Sequence, residues 1–295
     1  MTENIDAMPR IPLGVLVDAG ADAAADLVVG KKYRSGLLLP AADERFALQV
    51  VAVDSAGVAA TLAAHPDWCG VLLSERLRHP VAVADTGWAA ALDLDDALQP
   101  LEFVEYLRDE QARESFVARV LTCHAWRELQ GSALSLAALQ AFFARHKYLL
   151  MSRHIGSYQQ IGQLLASPVP SKALATQSLD SVARQMITAI MAALRRSATR
   201  GGHGNALAHV RGYLKNRLSD AEKAALDEAL EWYRLGLVPL HTPLDLLREY
   251  FQRYPDSYID QQAYMQPRLH ARLDLALLLD QLRDEEGRRH TAGGR

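Results

Sequence analysis

From Leu101 onward the sequence holds few β-branched clusters and long stretches of helical spacing, which restricts the larger part of the chain to helices. Phe103/Leu107 and Phe116/Val120 are four residues apart, and Leu136, Leu139, Phe143 and Tyr148 extend the apolar stripe. Ser135 caps the segment that carries Arg145, His146, Lys147 and Tyr148. Residues 156–166 form a further helix, ended by Ser167-Pro168-Val169-Pro170-Ser171. Residues 175–196 read as a long amphipathic helix with Leu179, Val182, Met186, Ile190 and Leu194 on one side. Ser219-Asp220-Ala221-Glu222 is a capping box for a helix reaching Arg234, with Gly236 as its C-cap. Thr242 as N-cap and Pro243 at the first helical position open the next helix, Tyr254-Pro255 stops it, and a last helix is expected over 268–282.

The first hundred residues follow a different pattern. Short β-like runs at 11–17, 46–53 and 69–73, with an alanine-rich, helix-prone stretch at 56–64 between the last two, point to an α/β domain with a largely parallel sheet. Residues 87–100 are acidic and read as a surface turn or short helix. The expected fold class is therefore α+β with two domains: a small α/β N-terminal domain at 1–114, an all-α domain at 115–285 and a flexible tail at 286–295. A strand ladder within 140–285 would contradict it. No run reaches the ~18–20 apolar residues of a membrane span, and the N-terminus lacks the basic and apolar regions of a signal peptide, so a cytoplasmic protein with no membrane partner is expected. Cys69 and Cys123 are far apart, which leaves no disulfide framework and no cysteine cluster for zinc.

The net charge of −3 conceals an asymmetry. Residues 1–140 carry 11 Lys/Arg against 20 Asp/Glu, 141–217 carry 11 against 1 for a net of +10, and 218–295 carry 10 against 14. Such a basic segment either attracts a polyanion by releasing its condensed counterions or forms a solvated face balanced by acidic domains beside it.

Within that segment, Thr199 to Lys215 is a glycine-loosened turn leading into a helix on which Asn205, His209 and Tyr213 recur every four residues. That stripe either reads a nucleotide by hydrogen bonding and stacking or forms a polar seam between helices. Arg200 precedes the helix, and Arg211, Lys215 and Arg217 lie along it. His146, His203 and His209 could serve as metal ligands or as a general acid and base. The His203/His209 spacing is not that of a helical zinc pair, however, and no carboxylate accompanies it, so buried, hydrogen-bonded histidines are the stronger reading. Gly201-Gly202-His203-Gly204 lacks the lysine and threonine of a phosphate loop. Tyr258, Gln261, Gln262 and Tyr264 form an aromatic and amide group suited to base stacking or to interhelical packing.

Four blocks, 145–151, 203–215, 233–240 and 258–264, resemble the YbgA-like family in that family's order, over roughly residues 115–268. The resemblance implies a helical domain of unassigned function, found alone or fused behind an iron–sulfur desulfidase domain that removes sulfur from thiouracil or thiouridine. In such fusions the helical domain is thought to help engage transfer RNA. The N-terminal half resembles a degenerate copy of that desulfidase, with Ile11-Pro12-Leu13-Gly14-Val15 at its opening strand and Cys69-Gly70-Val71-Leu72-Leu73-Ser74 at its later one. Where the family places cysteines after those strands, this chain has Asp18 and about Pro80, and Cys69 falls before its strand. Neither an oxygen ligand nor a proline replaces a thiolate around a cubane, so desulfuration is not expected and no cofactor is implied.

The function expected is a non-catalytic module that binds transfer RNA or another structured RNA. Its candidate contacts are Arg145, His146, Lys147, Arg200, His203, Asn205, His209, Arg211, Tyr213, Lys215, Tyr258 and Gln262. The alternatives are an enzyme in which the histidines and Arg200 converge in one pocket, and a scaffold for a protein partner whose basic helices face Asp and Glu of residues 1–140.

Overall fold

The computed structural model describes residues 11–18, 46–54, 56–73, 77, 101–102, 110–166 and 179–266. The acidic stretch 87–100, the expected helix at 268–282 and the tail at 286–295 lie outside the described residues. The described chain is mostly helical with a small parallel sheet, and it separates into two compact units at Ala125/Trp126.

The first unit is built on β1 (Ile11–Asp18), β2 (Phe46–Val53), β3 (Val71–Leu73) and β4 (Leu101–Glu102), in the order β2-β1-β3-β4. Every neighbouring pair is parallel, with Ile11 opposite Phe46, Gly14 opposite Val71 and Leu72 opposite Leu101. A parallel sheet needs both faces covered, and Ile11, Leu13, Leu16, Val71 and Leu72 are buried. Proline is tolerated in the central strand because Pro12 lies before the β1/β3 ladder begins, and its carbonyl still accepts from Cys69 N–H at 2.9 Å. Helix α1 (Val58–Ala64) lays Val58 and Leu62 on the core. Two glycines set the packing distances: a Cβ on Gly14 would enter the Trp68 ring, and one on Gly70 would meet Val120 and Phe116 of α2 (Glu110–Gln130). The strand at Leu101 corrects the expectation that the helical pattern begins there. Two residues are too short to show any alternation.

In the second unit the helices are α3 (Leu136–Arg145), α4 (Lys147–Arg153), α5 (Ile155–Ala166), α6 (Leu179–Leu194), α7 (Arg200–Arg211), α8 (Asp220–Leu235), α9 (His241–Arg253) and α10 (Ser257–Asp260). Tight 3-10 turns occupy Gly212–Leu214 and Ala263–Met265, and residues 140–166 and 179–266 contain no strand. Ser135 caps α3 by accepting from Ala138 N–H at 3.1 Å, but the helix does not run on through Tyr148. It breaks at His146, whose Nδ1 takes the Phe142 carbonyl at 2.8 Å. The next seven residues form α4, which is buried from Tyr148 to Arg153 and packs against α5, α6, α7 and the 263–265 turn. A short helix buried on nearly every side belongs at the centre of a bundle, and its polar members Ser152 and Arg153 are accordingly bonded to the Leu149 and Arg196 carbonyls. Val182, Met186, Ile190 and Leu194 are buried along α6. The capping box at Ser219 and the left-handed C-cap at Gly236 (φ 82°) are present as expected. Helix α9 starts at His241 rather than after Thr242, so Pro243 sits inside the first turn, where a missing N–H costs no intrahelical bond.

Candidate nucleic-acid interface

Helix α7 follows from its sequence in two steps. Thr199 caps it by accepting from Gly202 N–H at 3.0 Å, and Gly202 lets it cross α4 at backbone contact, where a Cβ would overlap the Ser152 carbonyl oxygen. That crossing turns His203, Ala206, Leu207 and Val210 inward and leaves Asn205 and His209 outside. Tyr213, in the following turn, is 36% exposed.

The three histidines keep separate company. His146 is 2% exposed, and its ring lies 4.4 Å from that of Phe142. Burial, aided by the Arg145 charge and opposed by the Phe142 carbonyl, lowers its pKa to about 4. His203 is 4% exposed, bonded through Nδ1 to the Tyr264 hydroxyl at 2.9 Å; burial and the charges of Arg153 and Arg200 lower it to about 4. Both are neutral at pH 7 and closed to a surface ligand, which removes them from the expected RNA contacts. Gln262 is likewise interior, donating to the Ala144 carbonyl at 3.0 Å. Among the described residues no three His, Cys, Asp or Glu side chains are grouped to hold a metal. The chain's two thiols, both buried, do not make the ligand set of an iron–sulfur cluster.

Two of the expected phosphate contacts, Arg200 and Arg211, have partners within the unit, as does the nearby Arg217. Arg200 donates to the Tyr233 carbonyl at 2.5 Å and lies over the Tyr233 ring, 4.8 Å from its centroid, beside Gly236. It thus closes the C-terminus of α8 with a charge of the sign its dipole favours. Replacing it (Arg200→Ala) is expected to destabilise the protein by about 1 kcal/mol, read as a lower urea midpoint at unchanged slope. An unshifted midpoint would show that this clasp contributes nothing. Arg211 pairs with Asp227 of α8, and Arg217 donates to the Tyr254 and Pro255 carbonyls at 3.2 and 2.6 Å.

Lys215 and Arg145 are exposed, and Lys147 is half-buried with its Nζ 5.1 Å from the Tyr148 ring centroid. None of the three makes an ion pair with a described residue. Close to them in sequence is a feature assembled from distant segments. Tyr148 of α4 donates to the Tyr213 hydroxyl at 3.3 Å, and the Tyr213 ring stacks on Tyr258 of α10 at 5.8 Å and 17°. Tyr158 of α5 stacks on Phe143 at 5.2 Å and is close enough for Tyr213 to raise its pKa. Burial first, and then the neighbouring phenols, hold Tyr148, Tyr158 and Tyr258 above the usual phenol range. At neutral pH these are uncharged donors and acceptors, not phenolate bases. Sequence reasoning missed Tyr148 and Tyr158 as site residues, because nothing local marks four tyrosines from four segments as neighbours.

The second unit is thus a helical domain in which a buried tyrosine, Tyr148, reaches an exposed one, Tyr213, with Lys147 lying over the Tyr148 ring. Residues 147–268 match the family model described as a protein of unknown function (DUF1722). Over 153 residues the chain is 26% identical to the uncharacterized protein YbgA of Escherichia coli (strain K12), covering 52% of this chain and 88% of that one. The two matches support a YbgA-like family for the C-terminal half. No solved structure matches the chain.

Proposed function

We propose that the chain is a two-domain protein whose helical unit binds structured RNA, with transfer RNA the expected ligand and no reaction catalysed. The N-terminal sheet is, on this reading, a relative of the iron–sulfur desulfidases that has lost its cluster ligands. The observation that carries RNA binding is that Arg145, Lys147 and Lys215 have no acidic partner among the described residues, with Lys147 Nζ 5.1 Å from the Tyr148 ring and Lys215 two residues along the chain from Tyr213. Phosphates attract such cations, and phenol rings suit bases. Arg200 and Arg211 contribute background charge only, since their side chains are engaged by α8.

A gel-shift titration with purified transfer RNA at low salt tests the reading. The full chain should bind, and the triple variant Arg145→Ala/Lys147→Ala/Lys215→Ala should bind more weakly, with a salt slope shallower by about one for each phosphate it no longer neutralises. Binding untouched by the triple variant would count against this surface. A second reading, a protein partner, is favoured by Trp232, Leu235 and Leu237, which are exposed around the end of α8. Substituting those three should leave RNA affinity unchanged if the first reading is correct.

A further inference from the structure

Resting on that reading, we propose that Tyr213 is the stacking face for one unpaired nucleobase, with Tyr148 and Tyr258 as the residues that position it. Tyr213 is the most exposed of these tyrosines, and it is held at two points. Its hydroxyl meets that of Tyr148 at 3.3 Å, and its ring is stacked on Tyr258 at 5.8 Å. Tyr148 is itself 1% exposed, rooted in the buried helix α4, so the hydroxyl anchor does not move with the surface. A large hydrophobic ring in solvent would ordinarily have several rotamers to lose on binding, and this one has been ordered already, which lowers the entropy cost of stacking a ligand on it.

The same geometry selects what can stack. A duplex presents its bases edge-on in grooves, so a planar ring can cover a base only when that base is splayed out of a loop, bulge or single strand. Lys215 is two residues from Tyr213 and Lys147 is next to Tyr148, so the phosphates on either side of such a base would find cations. The Tyr148 and Tyr258 phenols, held above the usual phenol range by burial, carry no charge at physiological pH to repel that backbone. Recognition by ring area discriminates weakly among bases, and the selectivity expected is for unpaired over paired RNA rather than for a sequence.

The test uses the full chain and two labelled RNA probes of equal length, a hairpin with an unpaired loop and a fully paired duplex, followed by fluorescence anisotropy. Tyr213→Ala should weaken hairpin binding roughly 5- to 150-fold and leave duplex binding unchanged. Tyr213→Phe, which keeps the ring, should retain hairpin affinity to within about threefold, and equal melting temperatures for the three proteins would show that folding is intact. Hairpin binding by Tyr213→Ala within about twofold of the parent, with salt-dependent binding preserved, overturns the stacking proposal and leaves RNA binding standing. Failure of the parent chain to bind either probe at low salt overturns the underlying functional reading instead.

Discussion

A Gly202→Ala chain is expected to lose about 3 kcal/mol or more of folding stability, whereas Gly204→Ala, two residues along the same helix, is expected to gain roughly 0.5–1 kcal/mol. In α7 both positions are helical, so propensity alone would favour alanine at each. The difference comes from the neighbours. A Cβ at Gly202 would overlap the Ser152 carbonyl oxygen and lie 2.9 Å from its carbon, and backbone of the buried helix α4 cannot rotate away as a side chain would. A Cβ at Gly204 meets nothing within 4 Å. Relief at Gly202 requires the α4/α7 crossing to open, which uncovers Leu149, Leu150 and Leu207, each a large apolar burial. Urea unfolding followed by circular dichroism reads both effects as midpoint shifts of opposite sign. A Gly202→Ala midpoint at or above that of the parent would mean that the two helices are not in backbone contact.

Acidification should destabilise the helical unit well before its carboxylates are titrated. His146 and His203 have pKa values near 4 in the folded chain against 6.5 when exposed. Between those values the unfolded chain binds protons that the folded chain refuses, so stability is fully present above pH 6.5 and falls as pH drops towards 4. A depression of that size corresponds to about 3 kcal/mol for each histidine, an upper figure if both stay buried until the unit opens. The melting temperature should therefore fall steeply across this window. In His203→Gln, which can still bond the Tyr264 hydroxyl but cannot gain a proton, the fall should be roughly half as steep. A parent profile flat from pH 7 to pH 4.5 would contradict the burial of both rings.

Much of the architecture was legible because it is local. The apolar runs at 11–17, 46–53 and 69–73 hold the parallel strands, the last confined to Val71–Leu73, and the capping box at Ser219 and the glycine at 236 mark the ends of α8 where their chemistry requires. Local rules failed where a side chain competes with the helix. The His146 ring takes the Phe142 carbonyl at the point where α3 gives way to α4, and spacing alone does not announce that. Part of the candidate site was misread for a related reason: histidine and glutamine are polar by type, yet His146, His203 and Gln262 are interior. For His203 a signal was present, since Ala206, Leu207 and Val210 recur at i+3, i+4 and i+7 and mark its face as the buried one. For the arginines no sequence signal exists. The partner of Arg200 is 33 residues away and that of Arg211 is 16, so only the folded chain shows which cations are already bound. The same limit hid the tyrosine cluster, whose members span positions 148 to 258.

RNA binding through solvent-facing cations is tested most directly by the salt dependence of affinity, measured by anisotropy with purified transfer RNA and the full chain. Log affinity should fall linearly with log salt at a slope of about −0.7 to −0.9 per phosphate neutralised, giving roughly −2 to −3 if Arg145, Lys147 and Lys215 each hold one. The triple alanine variant should bring that slope close to zero. No binding at low salt, or a slope that the variant leaves unchanged, would contradict the assignment of this surface to RNA.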